Sequence, residues 1–155
     1  MTTTRFAGPD DAATVARMLH DFNTEFGDPS PGTEFLIERL PGLLASDDVV
    51  VVLGGDDADD ELGVAVLRFW PSLWSSGVVA YLEELYVVPE RRDQGIGGAI
   101  MATAMDLARK RNADEMYIGV DEPDVDTRRF YERLGFRNHA EGDPSARMFF
   151  YEREL

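Results

Sequence analysis

The segment Val87-Val88-Pro89-Glu90-Arg91-Arg92-Asp93-Gln94-Gly95-Ile96-Gly97-Gly98 carries the sharpest chemical signal in the chain. A β-branched run stops at a proline, crosses a basic turn and enters an apolar-periodic stretch through glycines. The first turn of a helix has backbone N–H groups without internal partners and a partial positive charge, and glycines there let an anion come close. Such a turn suits a pyrophosphate, with Arg91 and Arg92 adding cationic charge. Close helix–strand packing accounts for such glycines equally well. Two familiar phosphate motifs are not met: no Gly-Lys-Ser/Thr is present, and the third glycine of a dinucleotide fingerprint would fall at Ile100.

Acids supply the other candidate groups. Glu83 and Glu84 sit just before the turn on a predicted strand, where period-two alternation sends them to opposite faces. Asp121, Glu122, Asp124 and Asp126 follow a later strand, and Asp21, Glu25, Asp28 and Glu34 surround the first helices. His20 and His139 lack the spacing of a metal pair, so both read as structural and no metal is expected. The sequence has no cysteine, which excludes a disulfide frame, a thiol nucleophile and a thiolate metal site. Phe69, Trp70 and Trp74 flank a loop and read as core packing or hairpin capping, with a pocket wall as the functional alternative.

The elements that must position these groups follow from periodicity. Residues 3–6 form a short strand. Val15, Met18, Leu19 and Phe22 fall at i, i+3, i+4 and i+7, one helical stripe capped by Asp10 or Asp11. Residues 27–32 hold two prolines and two glycines and must be a loop. Phe35, Leu36 and Leu40 suggest a second helix that Pro41-Gly42 should end or kink. Strands are predicted at 49–53, 62–70 and 78–88, with a charged turn over 54–61. A helix follows from Ile96 to Arg111, then a strand over 116–120, a helix over 125–134 stopped by Gly135, and a last aromatic strand over 148–152. Hairpins first and βαβ crossovers later describe an α/β fold built on a mixed sheet with helices on both faces.

Length and charge bound the rest. At 155 residues the chain is expected to be one domain, residues 1–155. Its 44% apolar content supports a packed core. Neither a signal peptide nor a membrane-spanning run is visible, so a cytoplasmic protein is expected. Thirty acids against 15 bases leave a net charge of −15. That surface disfavours nucleic acid and anionic lipid and favours cationic ligands, although solubility alone also accounts for it.

Arg92-x-x-Gly95-x-Gly97 after a strand, with Ile96 between the glycines, resembles the acetyl-CoA signature of the GCN5-related N-acetyltransferase (GNAT) superfamily. Arg129-Phe130-Tyr131-Glu132-Arg133-Leu134-Gly135-Phe136 resembles that family's second signature, and the two stand in the family's order. The predicted elements fit the fold from end to end, which implies a central sheet of six to seven strands.

The resemblance implies acetyl-CoA as cofactor. Its pantetheine arm would pair with the strand edge Leu85, Tyr86, Val87 and Val88, beside the neighbour at 116–120. Its pyrophosphate would rest on the amides of Gln94, Gly95, Ile96, Gly97 and Gly98, with Arg92 close by. Tyr131 matches the tyrosine that bonds the CoA sulfur and protonates it on departure; core packing beside Phe130 and Phe136 is the alternative. Glu84 falls where many relatives place an acid near the acceptor and is assigned base or water-relay duty, with Glu83 second. Many relatives carry an asparagine seven residues before the tyrosine and an alanine four before it. Here Asp124 and Thr127 stand in those places, and an ionised aspartate cannot donate the asparagine's bond to CoA.

The expected partner is a small-molecule amine, cationic and aminoglycoside- or polyamine-like, drawn by Asp121, Glu122, Asp124, Glu25 and Asp28. A homodimer is compatible with the sequence. The competing readings are a protein or peptide N-acetyltransferase and a non-catalytic acyl-CoA sensor. Retention of Tyr131 and of both signature glycines speaks against the sensor.

Overall fold

Four consecutive valines followed by leucine, residues 49–53, have no polar face and can only be satisfied inside a sheet covered on both sides. The computed structural model, which describes residues 1–56 and 61–155, makes them the second strand of a five-stranded sheet. The strands are β1 (Thr3–Phe6), β2 (Val49–Gly55), β3 (Glu61–Pro71), β4 (Val78–Val87) and β5 (Ala113–Ile118), in that spatial order. The first four pair antiparallel, and β4 pairs parallel with β5. The hairpin-then-crossover expectation holds. The expected turn over 54–61 falls partly on residues 57–60, outside the described residues.

Two helices cover one face. α1 (Ala12–Phe26) and α2 (Thr33–Leu44) bury Val15, Ala16, Met18 and Leu40 against Val49, Val51, Leu53, Val64, Val66 and Tyr86. Each of the valine, leucine and methionine side chains is worth about 1.5–3 kcal/mol when fully removed from water. α1 ends at Gly27, which adopts φ 73°, a left-handed conformation open to glycine without strain. Pro41 does not end α2. The helix runs on to Leu44, and the Pro41 carbonyl accepts from the Ala45 N–H at 3.1 Å.

The other face receives α3 (Ile96–Lys110), which buries Ile96, Ile100, Met101 and Ala104. Gly54 and Gly63 are cross-strand partners beneath it. A Cβ on Gly54 would stand 2.6 Å from Ile100 Cγ1, and one on Gly63 would stand 2.8 Å from Ile100 Cδ1. This glycine pair lets α3 lie close on the sheet and so fixes where the helix begins.

Two compact units divide the chain, Met1–Ile118 and Gly119–Leu155. The second contains α4 (Val125–Arg133) and a two-stranded ribbon, β6 (His139–Ala140) with β7 (Asp143–Arg147). The six- to seven-stranded sheet is therefore corrected to five strands plus this ribbon among the described residues. The strand expected over 148–152 has no regular structure, and Met148, Phe149, Phe150 and Tyr151 are exposed.

Candidate active site

α3 begins where the glycine turn predicts. Gly95 is its N-cap at φ 88° and has no side chain to cap the helix, so the N-cap residue leaves the first-turn amides to other partners. The first internal bond runs from the Ala99 N–H to the Gly95 carbonyl at 3.0 Å. A Cβ built on Gly98 meets nothing within 4 Å, so this glycine leaves open space and is not needed for helix–strand packing. The close packing belongs instead to Gly54 and Gly63. Open amides and a glycine-lined approach suit a pyrophosphate.

The turn's arginines are already engaged. Arg92 donates through Nη1 and Nη2 to the two carboxylate oxygens of Glu25, at 2.7 and 2.6 Å, and through Nε to the Val87 carbonyl at 2.9 Å. Its guanidinium also lies 5.7 Å from the centre of the Tyr86 ring. The Arg92 bond holds the Glu25 carboxyl below its ordinary range, against a smaller opposing effect of burial. Arg91 pairs with Asp56 and donates to Gln94 Oε1 at 3.0 Å. Both positive charges of the turn therefore face carboxylates within the protein.

Before the turn, β4 outruns its parallel neighbour. The β4–β5 register ends at Leu82↔Ile118, whereas β3 continues alongside β4 to Val87. Within this unit residues 83–87 thus have a ladder partner on one side only, and Leu85, Tyr86 and Val87 lie on that stretch. The neighbour expected over 116–120 instead spans Ala113–Ile118 and ends two residues earlier.

The acids on this stretch do not alternate. Val66 faces Glu84 while the next residue, Leu67, faces Leu82, so Glu83 is the extra residue of a β-bulge. Val64 and Val66 look toward α1 and α2, and their partners Tyr86 and Glu84 share that side. Glu83 reaches Arg68 Nε, which donates to its Oε2 at 2.6 Å. Arg68 is two residues beyond Val66 on a regular stretch of β3, so Glu83 is drawn toward the same face. The opposite-face expectation is overturned: one inserted residue cancels the period of two. No residue type in this stretch announces the bulge.

Glu84 is the perturbed group of the site. Burial, then Glu83, then Asp28 push its carboxyl from 4.5 up to about 7. Desolvation and nearby like charges both disfavour the ionised form. Asp28 lies in the loop between α1 and α2, which is held down by the side chains of α1: Asn23 Nδ2 donates to the Pro29 carbonyl at 3.0 Å, and His20 Nδ1 lies 2.8 Å from Ser30 Oγ. A half-buried carboxyl titrating near neutrality is suited to taking a proton from an ammonium group.

In the second unit Tyr131 is buried, with its ring 5.1 Å from that of Phe130 and 5.7 Å from that of Phe136. The Glu122 carboxylate accepts from Arg147 Nη2 at 3.3 Å, and its carbonyl accepts from Arg128 Nη1 at 3.0 Å. Asp124 is the N-cap residue of α4, without a side-chain capping bond, and its N–H reaches the Asp121 carbonyl at 3.1 Å.

Residues 15–136 match the model of the acetyltransferase (GNAT) family. The chain belongs to that family. It is an acetyl-CoA-dependent N-acetyltransferase, of the acyltransferase class. The GNAT chain is 50% identical to an Arthrobacter sp. FB24 protein assigned to the acetyltransferases, whose crystal structure superposes with TM-score 0.90 over 99% of this chain and 96% of that one. It is 31% identical to an uncharacterized N-acetyltransferase of Archaeoglobus fulgidus, over 64% of this chain and 68% of the relative. It is also 38% identical to aminoglycoside N(6')-acetyltransferase type 1 of Klebsiella aerogenes, over 52% of this chain and 53% of the relative. Among the described residues, no group of three or more His, Asp or Glu side chains is arranged to hold a metal ion, and no helix is long and apolar enough to cross a membrane.

Sequence reasoning reached the glycine turn, the strand before it and Glu84. It missed the Arg92–Glu25 and Arg91–Asp56 pairs and the bulge. The nearest signal was composition: arginines beside a phosphate turn in so acidic a chain are bound to meet carboxylates.

Proposed function

We propose that this GNAT enzyme moves an acetyl group from acetyl-CoA to a cationic small-molecule amine by direct attack, with Glu84 as the base. The observation that carries the reading is Glu84 itself: a half-buried carboxyl held near neutrality beside the strand stretch that leads into the glycine turn. The amides of Gln94, Gly95, Ile96, Gly97 and Gly98 hold the pyrophosphate. The side of Leu85, Tyr86 and Val87 away from β3 takes the amides of the pantetheine arm as an added strand would; Val88 lies just past β4 and gives its N–H to the Leu62 carbonyl at 2.9 Å.

Glu84 accepts a proton from the ammonium form of the acceptor, or through a water. The freed nitrogen forms a bond to the acetyl carbon as the carbon–sulfur bond breaks. Tyr131 gives its hydroxyl proton to the leaving thiolate and regains one from the surplus N–H of the new amide, through water, while Glu84 releases its proton to solvent; the Tyr131 role is supported by its place in the second family signature. Glu83, exposed and bonded to Arg68, is the weaker base candidate and acts by raising Glu84.

A cationic acceptor is favoured by Asp28, which acts on Glu84, and by the net charge of −15; Glu83, like Glu122, already has an arginine partner. Asp121 and Asp124 remain acceptor candidates; Glu122 is the weaker one, since Arg147 already offsets its charge. The resemblance to an aminoglycoside acetyltransferase over about half of each chain supports the same class.

The test is CoA release with spermidine, an aminoglycoside, a free amino acid and an N-terminal peptide at low and high salt. The expected outcome is a preference for the polycations that weakens with salt. Preference for the peptide makes the enzyme a protein acetyltransferase. Acetyl-CoA binding without release under any acceptor favours a sensor.

A further inference from the structure

Glu25 is an acid in the last turn of α1, where the helix carbonyls already present partial negative charge and no basic residue offsets it. By local rules the position disfavours a carboxylate. What compensates it comes from elsewhere: both of its oxygens accept from Arg92, in the parallel two-bond geometry that gives arginine–carboxylate pairs their directionality. Arg92 in turn uses Nε on the carbonyl of Val87, the last residue of β4, and stacks its charge over Tyr86 of the same strand. One guanidinium thus ties together the C-terminal end of α1, the end of β4 and the turn that delivers α3. Its carboxylate-facing edge is used up, and the neighbouring Arg91 is paired through Nη2 with Asp56.

We infer that Glu25 and Arg92 are a positioning pair that sets the acetyl-CoA turn against the acceptor-side helix, with Arg92 acting as a strut and not as a phosphate clamp, and Glu25 as its anchor and not as an acceptor ligand. The inference rests on the assignment of the pyrophosphate to the α3 amides. Under it, anion recognition in this protein comes from backbone dipoles, and the side-chain charge of the turn is spent on holding those dipoles in place. Small displacements of a positioning group are costly in such sites, because amide geometry toward an anion is steep.

The strut and the clamp predict opposite signs for one substitution. Glu25→Gln removes the charge that engages Arg92. If Arg92 is a strut, CoA binds roughly 5- to 30-fold more weakly, as for loss of one charged hydrogen-bonded pair. If Arg92 is a clamp, its release leaves CoA affinity unchanged or tighter. Calorimetry of CoA binding to Glu25→Gln, Arg92→Gln and the double variant reads the difference. The strut requires that both single variants weaken CoA similarly and that the double variant be no worse than either. Glu25→Asp, which keeps the charge, should recover part of the loss.

Two outcomes overturn the inference. In one, Arg92→Gln is damaging and Glu25→Gln is not. In the other, Glu25→Gln raises the KM of a cationic acceptor with CoA affinity intact. Thermal melting accompanies each variant; should a single variant unfold early, comparison of the double variant with the parent carries the test, because the clamp predicts a large loss there and the strut a modest one. Gly97→Glu is the control for the underlying site: if it leaves CoA affinity unchanged, the pyrophosphate assignment fails, separately from the strut.

Discussion

The glycine turn and the β4 bulge lie a few residues apart and handle charge in opposite ways. At the turn, each arginine meets a carboxylate, Arg92 with Glu25 and Arg91 with Asp56, and what the N-cap leaves for a ligand is the set of neutral amides at the start of α3. At the bulge Arg68 engages Glu83, but Glu84 itself is buried beside Glu83 and Asp28, and its charge is disfavoured. A polyanion needs a fixed field that does not depend on protonation, which backbone dipoles provide. A base working on an ammonium group near neutral pH needs a carboxyl whose affinity for protons has been raised, which burial and like charge provide. Under the proposed function, the difference is one between a region that holds and a region that exchanges protons.

The largest expected effect lies outside both regions and isolates the holding function from turnover. Tyr131→Phe should lower kcat by roughly 10²–10⁴-fold, the usual worth of a positioned proton donor, while calorimetric acetyl-CoA affinity stays nearly intact. A rate within about threefold of the parent means that solvent or another group protonates the thiolate.

Glu84→Gln breaks the proton-exchanging side. The parent should lose activity as pH falls through about 7, where Glu84 becomes protonated. The variant should be about 10²–10³-fold slower above that pH and lack this acidic limb, whereas Glu83→Gln should move the limb to lower pH with a smaller loss. A larger loss from Glu83→Gln would exchange the two roles.

Gly97→Glu breaks the holding side. A carboxylate placed at the first-turn amides should weaken acetyl-CoA by at least ~2 kcal/mol, about 30-fold, in calorimetry of the folded variant. A gentler version acts from beneath the helix: Gly54→Val drives a side chain into Ile100 and should cost roughly 1–3 kcal/mol in urea unfolding, with a rise in acetyl-CoA KM because the start of α3 shifts.

The smallest expected effect sharpens the account of Glu84. Its carboxyl is raised from 4.5 to about 7 in the folded protein, so the folded state holds the proton more tightly than the unfolded one. The resulting stability is complete below about pH 4.5, falls as pH rises, and is lost once pH passes about 7. Glu84→Gln should therefore be more stable than the parent at pH 8, by about 1–2 kcal/mol after discounting for solvent screening, and show little or no such advantage at pH 4.5. Equal differences at both pH values would remove the electrostatic explanation.

Much of the site was legible in the residues because its logic is local. Glycines at a helix start, a proline ending a strand, and four valines in a row act through steric rules that hold wherever they occur, so residues 87–98 announced the element boundary at which the anion site is proposed. The same locality made the parallel β4–β5 pairing and the two helical layers readable. Asp28 was named as an acid of the acceptor side, but its influence on Glu84 depends on how the loop after Gly27 folds back, through Asn23 and His20, and no spacing encodes that.

What the tertiary structure alone decided was pairing. Whether Arg92 faces a phosphate or Glu25 depends on where the end of α1 comes to rest after two helices and four strands have packed. The partner is 67 positions away in sequence, beyond the reach of periodicity. The bulge at Glu83 is likewise invisible to an alternation rule, since it arises from the register of β3 against β4 and not from the residue inserted. Local sterics dictate which elements form and where they stop; charge partners and strand register are long-range choices, made only when the elements meet.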